Sequence, residues 1–222
     1  MSSYFLHINT STSQGFVMLS DEEGHIIQSI SIEPQEQSAQ INISIDKIMQ
    51  AAGITSAQLS AISVLNGPGS YTGLRIGLST AKGLALGWGI PLILHNYIDV
   101  LAHHHVQDSV YAIALMARTD EYYVGIYQNH VNLMAPQHSL SVDCMELLEK
   151  YEVKTVFTDN VLGFPEAQYI VQDLDINIQK DICHIAIQKF REKKFDDLAY
   201  SEPFYLKPAY VTTPKNNILH KN

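Results

Sequence analysis

The chain has 222 residues, 46% of them hydrophobic and 17% charged, a balance typical of a globular protein with a buried core. Its formal net charge of −9 repels phosphate backbones, so the chain alone is not expected to bind nucleic acid. Cys144 and Cys183 are the only cysteines, which indicates neither a zinc site nor a disulfide framework. With no signal segment and no apolar stretch of about 18 residues, we expect a cytoplasmic protein.

Hydrophobic patterns in the first half of the chain predict the order β-β-β-α-β-α-β. Three strands joined by short turns come first, and a helix with apolar residues at three- and four-residue steps then ends at Gly53. A short buried strand leads to Gly67-Pro68-Gly69, where a second helix begins. The predicted strands cover 4–8, 16–19, 25–32, 61–65 and 90–94, and the predicted helices cover 37–52 and 71–88.

The second half of the chain predicts a smaller lobe. A helix over 96–105 leads into it, and a proline-framed extended segment over 203–208 precedes a loose tail. The predicted strands cover 110–116, 122–127 and 154–158, and the predicted helices cover 143–151 and 181–193. We therefore expect an α/β protein with mixed sheets in two lobes, residues 1–105 and 106–208, followed by a tail over 209–222.

The helix over 71–88 is rich in glycine. Its four interior glycines cost roughly 3 to 4 kcal/mol relative to alanine, so close approach of another element must offset them. Projection at about 100° per residue places five small or apolar positions in one narrow stripe: Gly73, Gly77, Thr80, Leu84 and Gly87. The stripe packs either on a partner or inside this chain, on the 37–52 helix or the sheet, and the pattern alone leaves both open.

The start of that helix also has the features of an anion site. Gly67, Pro68, Gly69 and Ser70 lie where free backbone N–H groups and the helix dipole attract phosphate. The spacing fits neither a phosphate-binding Walker loop nor a dinucleotide fingerprint, since Lys82 follows alanine instead of glycine.

Residues 66–85 closely resemble the signature of the TsaB (YeaZ) family, and read NGPGSYTGLRIGLSTAKGLA. Residues 8–12 resemble the first strand and turn of that family, and residues 204–208 resemble its C-terminal Tyr-Leu-Arg segment. The resemblance implies an actin-like ATPase, ribonuclease-H-like fold of the sugar kinase, Hsp70 and actin class. It also implies a protein needed for threonylcarbamoyladenosine in tRNA.

The resemblance further implies a non-catalytic scaffold, because TsaB proteins are degenerate relatives of the transferase TsaD. The expected partners are a TsaD-like catalytic subunit, a TsaE-like ATPase and, in isolation, a second copy of the chain. Transfer RNA is contacted only through the complex, no membrane is involved, and ATP and magnesium belong to partner subunits, so no cofactor is expected here. The expected interface lies on the helices over 37–52 and 71–88, and comprises Gly73, Gly77, Thr80, Leu84, Gly87, Ile41, Ile45 and Ile48.

Two positions depart from the family pattern. The usual aspartate of the first turn is Asn9, and the histidine common at the start of the first helix is Gln37. A neutral asparagine cannot supply the charge that helps hold magnesium beside phosphate in actin-like ATPases. Both changes therefore fit the loss of catalytic activity.

Enzymatic functions remain as alternatives, namely an active nucleotide phosphotransferase or a metal-dependent peptidase. His95, Asp99 and His103 follow at four-residue steps and could face one side of a helix, although His95 is expected to end a strand. Ser70 has no identifiable base for nucleophilic catalysis. Arg118 lies in a polar hairpin turn, which is either ordinary or a contact with the other lobe or a partner.

Overall fold

The structure is a computed structural model and describes residues 3–206. Its first half forms a five-stranded sheet with the order β3-β2-β1-β4-β5, in which β1 to β3 are antiparallel and β4 and β5 run parallel to β1. The elements are β1 (Tyr4–Asn9), β2 (Gly15–Asp21), β3 (Ile26–Ile32), α1 (Gln37–Ala52), β4 (Leu59–Leu65), α2 (Tyr71–Trp88) and β5 (Leu92–His95).

The second half repeats this arrangement. Three antiparallel strands are again followed by two strands parallel to the first, and the order is β10-β9-β6-β7-β8. The elements are α3 (Tyr97–His104), β6 (Tyr111–Arg118), β7 (Glu121–Gln128), β8 (Val131–Leu140), α4 (Ser141–Lys150), β9 (Thr155–Thr158), β10 (Ile170–Asp173) and α5 (Gln179–Arg191). Two sheets with the same strand order give the expected two-lobed α/β fold.

The helices and sheets stack in five layers. α1 and α2 cover one face of the first sheet, α3 and α5 lie between the sheets, and α4 covers the outer face of the second sheet. β1 and β2 are buried over almost their whole length because helices cover both faces of the first sheet. None of the helices within residues 3–206 is long and apolar enough to cross a membrane.

The C-terminal part of the described chain packs on the first lobe. α5 contacts β1 and β5, and Ile187 lies in a small core with Phe5 and Ile93. After α5, the Asp196 backbone donates to Leu92 O on β5. α5 also packs toward the second sheet, since Ile182 and Cys183 share a core cluster with residues of both sheets. The lobe boundaries at residues 105 and 208 therefore stay a prediction. The apolar period of α5 shows that one face is buried, but it does not show against which sheet.

The two long helices have the bounds that the sequence predicted. Each ends at a glycine in the left-handed conformation, Gly53 with φ 66° and Gly89 with φ 67°. The sequence prediction missed β8 and β10, which are the two edge strands of the second sheet. Edge strands bury little of their surface and carry a weak alternating pattern, and Pro136 in β8 argues against a central strand. The predicted tail over 209–222 lies outside the described residues.

Candidate interaction surface and interlobe cleft

The first two glycines of α2 pack inside the chain. A β-carbon at Gly73 would overlap the Thr10 carbonyl oxygen, and one at Gly77 would overlap the Thr10 hydroxyl. Thr10 Oγ1 donates to Gly73 O at 2.7 Å, which fixes the turn after β1 against the helix. Gly73 and Gly77 are therefore explained by contact with this turn, and they do not belong to a partner interface.

The predicted interface residues of α1 are also internal. The side chains of Ile41, Ile45 and Ile48 are at most 4% exposed and lie in the core of the first lobe. Their three- and four-residue spacing marks the face that packs on the sheet, so a partner cannot contact them in this conformation. This part of the predicted interface is corrected.

The remaining stripe residues lie farther out. Thr80 and Leu84 are half-buried, and Gly87 is exposed, with open space where a β-carbon would lie. Gly83 has the same open space, and the neighbouring Leu86 is 74% exposed. On α1, Ile43 is 47% exposed. We call the set Ile43, Thr80, Gly83, Leu84, Leu86 and Gly87 the outer helix surface.

The segment after α5 borders the outer helix surface. The Tyr205 ring stacks on Tyr71 with centroids 4.5 Å apart, and Arg75 Nε donates to Tyr205 Oη at 2.8 Å. Farther along α2, Lys82 Nζ donates to Ser201 O at 2.9 Å. The segment therefore runs along α2 and occupies the polar face of that helix. The residue pattern predicted an extended, proline-framed segment over 203–208, and the family resemblance singled out residues 204–208, of which 207 and 208 lie outside the described residues.

The turn after β1 is built around Asn9. The Asn9 amide nitrogen donates to Thr12 Oγ1 at 2.7 Å and to Gln14 O at 2.8 Å, while its oxygen accepts from Ser11 N at 3.0 Å. An aspartate could make only the accepting bond, because a carboxylate has no N–H group. Asn9 thus organises the turn as an uncharged group. Gln37 is likewise buried, beside Gly73 and Gly15.

A cleft of about 270 Å³ lies between the lobes, beside this turn. Ser11, Thr12 and Gly69 form one wall, and Met116 and Tyr123 contribute to the other. None of the described residues that line the cleft is Lys or Arg, and Asp159 is the only carboxylate among them. Desolvation raises the pKa of Asp159, although its carboxylate accepts from Met116 N at 2.7 Å. The cleft therefore offers no side-chain cation to a phosphate.

The start of α2 has a structural explanation. Ser70 caps the helix by accepting from Gly73 N at 3.3 Å, and Ser70 N donates to Ser11 O at 2.8 Å. Gly67, with φ 124°, lies against the Phe204 carbonyl oxygen, and Pro68 is buried. The start of α2 is thus held between the turn after β1 and the C-terminal segment by four residues, Gly67, Pro68, Gly69 and Ser70.

The three residues weighed as metal ligands all line one cavity between α3, α5 and the β7–β8 hairpin, but they share no common hydrogen-bond partner, and both ring nitrogens of His95 lack a partner among the described residues. His95 ends β5, Asp99 Oδ1 accepts from Tyr127 Oη at 2.8 Å, and His103 Nδ1 lies 2.9 Å from Asp181 Oδ1. Within residues 3–206, the group whose ligand atoms converge is instead Asp21, Glu23 and His25 in the exposed β2–β3 turn. Asp21 there accepts the backbone N–H groups of Glu23 and His25, so it shapes the turn.

The two cysteines and Arg118 lie at positions where they support the fold. Cys144 and Cys183 are buried thiols, and burial raises the pKa of Cys144 to about 12 and that of Cys183 to about 11. Both are poor nucleophiles at neutral pH because the thiolate fraction is small. Arg118 ends β6 and pairs in register with Glu121 across the hairpin turn.

Comparison with known proteins agrees with this fold. A crystal structure from Pseudomonas aeruginosa, described as similar to peptidase YeaZ, superposes with a TM-score of 0.73 over 92% of this chain and all of that one (100%), at 22% identity. At that identity the likeness concerns the fold. The duplicated strand order and this likeness define an actin-like, ribonuclease-H-like α/β protein.

Sequence comparison identifies the family to which the chain belongs. A family model described as TsaD, tRNA N6-adenosine threonylcarbamoyltransferase, matches residues 31–212. The tRNA threonylcarbamoyladenosine biosynthesis protein TsaB of Escherichia coli is 28% identical, with 91% of this chain and 94% of the relative covered. TsaB of Bacillus subtilis is also 28% identical, with 68% and 69% covered. The chain belongs to the TsaD family, and it is similar to the TsaB (YeaZ) proteins over most of their length.

Proposed function

We propose that the chain acts in the formation of threonylcarbamoyladenosine in tRNA, as a non-catalytic subunit that binds and organises a TsaD-like transferase. The pathway is the one named for its relatives in E. coli and B. subtilis. The observation that supports a non-catalytic role is the interlobe cleft, whose described lining has no cationic side chain. A phosphate-transferring site needs such groups or a metal to offset charge in the transition state.

The cofactors of the reaction then belong to the partners. Asn9 occupies the turn position with an amide whose polar atoms are already hydrogen-bonded within the turn, which leaves no charge to hold magnesium. ATP and magnesium are used by the TsaD-like subunit and a TsaE-like ATPase. With a net charge of −9, this chain contacts tRNA only through the complex.

The transferase binds on the outer helix surface. Leu86, 74% exposed, and Ile43, 47% exposed, place apolar side chains on adjacent helices of one layer. Gly83 and Gly87 leave the backbone of α2 uncovered beside Leu86, so a partner helix can approach closely. In the absence of the transferase, a second copy of the chain uses the same surface.

Native mass spectrometry with the TsaD-like subunit tests this interface. Leu86→Arg places a charge where the partner would remove water, and we expect the heterodimer to be lost or weakened by roughly a hundredfold. The substitution leaves the fold intact because the side chain already faces solvent.

Leu162→Arg is the matched control, since Leu162 is 99% exposed in the second lobe, far from α1 and α2 in the layer order. It should bind like the unchanged chain. If both variants bind equally well, the outer helix surface is not the interface.

A further inference from the structure

A second cavity, of about 560 Å³, lies between α3, α5 and the β7–β8 hairpin. It shares no lining residue with the interlobe cleft and none with the outer helix surface. Its volume is in the range of pockets that bind small molecules. Buried Tyr111 and Tyr127 form apolar parts of the wall, and Asn132 and Gln188 lie among the polar parts.

Two opposite charges enter this cavity from different helices. Asp99 of α3 accepts through Oδ1 from Tyr127 Oη at 2.8 Å and from Asn132 Nδ2 at 3.3 Å. Lys189 of α5 donates to Leu94 O at 2.7 Å. Neither Asp99 nor Lys189 forms an ion pair among residues 3–206. Burial lowers the pKa of Lys189, and the nearby carboxylates of Asp196 and Asp99 oppose that shift without forming an ion pair, so both charged groups can still contact a ligand.

His95 adds unused hydrogen-bonding capacity next to Lys189. The residue lines the cavity and is 1% exposed, and neither ring nitrogen has a partner among the described residues. Burial, with smaller effects from Lys189 and His7, lowers the pKa of His95 well below its usual value. The ring is therefore neutral, with one donor and one acceptor. A buried polar group without a partner costs about 1 to 3 kcal/mol, which a bound polar ligand would offset.

We propose that this cavity binds a small zwitterion of the α-amino-acid class, with its carboxylate at Lys189 and its ammonium group at Asp99. One fixed charge of each sign matches a molecule that carries one of each. A phosphate dianion would meet the Asp99 carboxylate, and a neutral sugar would leave both charges without a counter-charge. The tyrosine rings provide the surface for the ligand side chain.

Isothermal titration calorimetry of the purified chain with individual L-amino acids at millimolar concentration tests the proposal. We expect at least one to bind, and its carboxamide and its N-acetyl derivative to bind at least roughly tenfold more weakly, because each lacks one of the two charges. Absence of binding by every amino acid overturns the proposal, as does binding of either derivative as tightly as the parent amino acid.

Substitutions locate the site. Lys189→Met and Asp99→Asn should each weaken binding by roughly tenfold or more. Lys180→Met, on the exposed face of the same helix, is the matched control and should have no effect. Gln188→Glu adds a negative charge at an exposed lining position and should also weaken binding, which keeps the test informative if Lys189→Met fails to fold.

Wild-type affinity in the folded Lys189→Met or Gln188→Glu protein contradicts the assignment. The result is independent of the proposed function, since Lys189→Met should leave binding of the transferase subunit unchanged and Leu86→Arg should leave amino-acid binding unchanged.

Discussion

Gly73 and Gly87 belong to one helical stripe, yet the structure gives them different roles. At Gly73 the absence of a side chain lets the turn after β1 reach the α2 backbone, whereas Gly87 has open space around it. A sequence projection shows which residues share a face, but it cannot show what lies opposite that face. The stripe could therefore be predicted, and its division between internal packing and exposed surface could not.

Alanine at the two positions should have opposite effects on stability. Gly73→Ala forces a β-carbon into the Thr10 carbonyl and should lower the free energy of unfolding by about 3 kcal/mol. The β-carbon of Gly87→Ala would contact no other atom, and the substitution should raise the free energy of unfolding by up to about 1 kcal/mol because alanine has the higher helix propensity. Urea unfolding measures both values, and similar shifts in the two variants would refute the packing described for Gly73.

His7 should make the protein acid-labile. Burial lowers the pKa of His7 to about 3, while its nitrogens lie 2.7 Å from Ser63 Oγ and 2.8 Å from Ser20 Oγ. The unfolded chain binds a proton below the usual pKa of about 6.5 and the folded chain does not, so stability falls as pH falls through that range. Between pH 7 and about pH 5, His7 alone should cost about 2 kcal/mol.

His95 also lowers the stability of the protein as pH falls, because burial lowers its pKa. His104 acts in the opposite direction: desolvation opposes the shift, but bonds to Asp181 and Asp175 raise its pKa, so its contribution is present at low pH and lost as pH rises. Denaturant unfolding across this pH range measures the sum. The free energy of unfolding should decrease toward pH 5, and a flat profile would show that His7 titrates in the folded state.

At the scale of elements, α1 and α2 were predictable because several independent signals agree. Each has a helical apolar period and a glycine stop, and Ser70 supplies an N-cap for α2. β8 and β10 lack such signals, since an edge strand pairs on one side and shows mainly exposed residues. Strand pairing across the sheet, and not the local pattern, determines these two elements.

The C-terminal segment should depend on its contact with α2. Tyr205→Ala removes the ring stacked on Tyr71 and the acceptor for Arg75 Nε, and we expect the segment to detach more often. The Phe204 amide, which donates to Asn66 O at 2.8 Å, then exchanges with solvent faster. Hydrogen-exchange mass spectrometry of this segment measures the change.

Tyr200→Ala is the matched control, because Tyr200 lies in the same segment with its side chain largely exposed. Its exchange over residues 202–206 should equal that of the unchanged chain. If the Tyr205→Ala protein also exchanges at the rate of the unchanged chain, backbone hydrogen bonds alone hold the segment.

At the scale of the whole molecule, the fold class was predictable from the family resemblance, and the layer order was not. The chain crosses back toward the first sheet after β10, so α5, from the far end of the sequence, lies between the two sheets and contacts β1 and β5. Such a return depends on long-range packing that no local pattern encodes. The proposed interface shows the same limit, because the bounds of α1 and α2 were predicted and the outward-facing side chains of Leu86 and Ile43 were not.

We propose that the chain works through the outer helix surface and not through the interlobe cleft. Reconstituted formation of threonylcarbamoyladenosine on tRNA, with the transferase and its other partners held constant, tests the two surfaces in one measurement. Ser13→Trp fills the cleft from an exposed position, while Leu86→Arg charges the outer helix surface. We predict normal product with Ser13→Trp and little product with Leu86→Arg. Loss of product with folded Ser13→Trp, together with normal product from Leu86→Arg, would show that the cleft and not the outer helix surface carries the function.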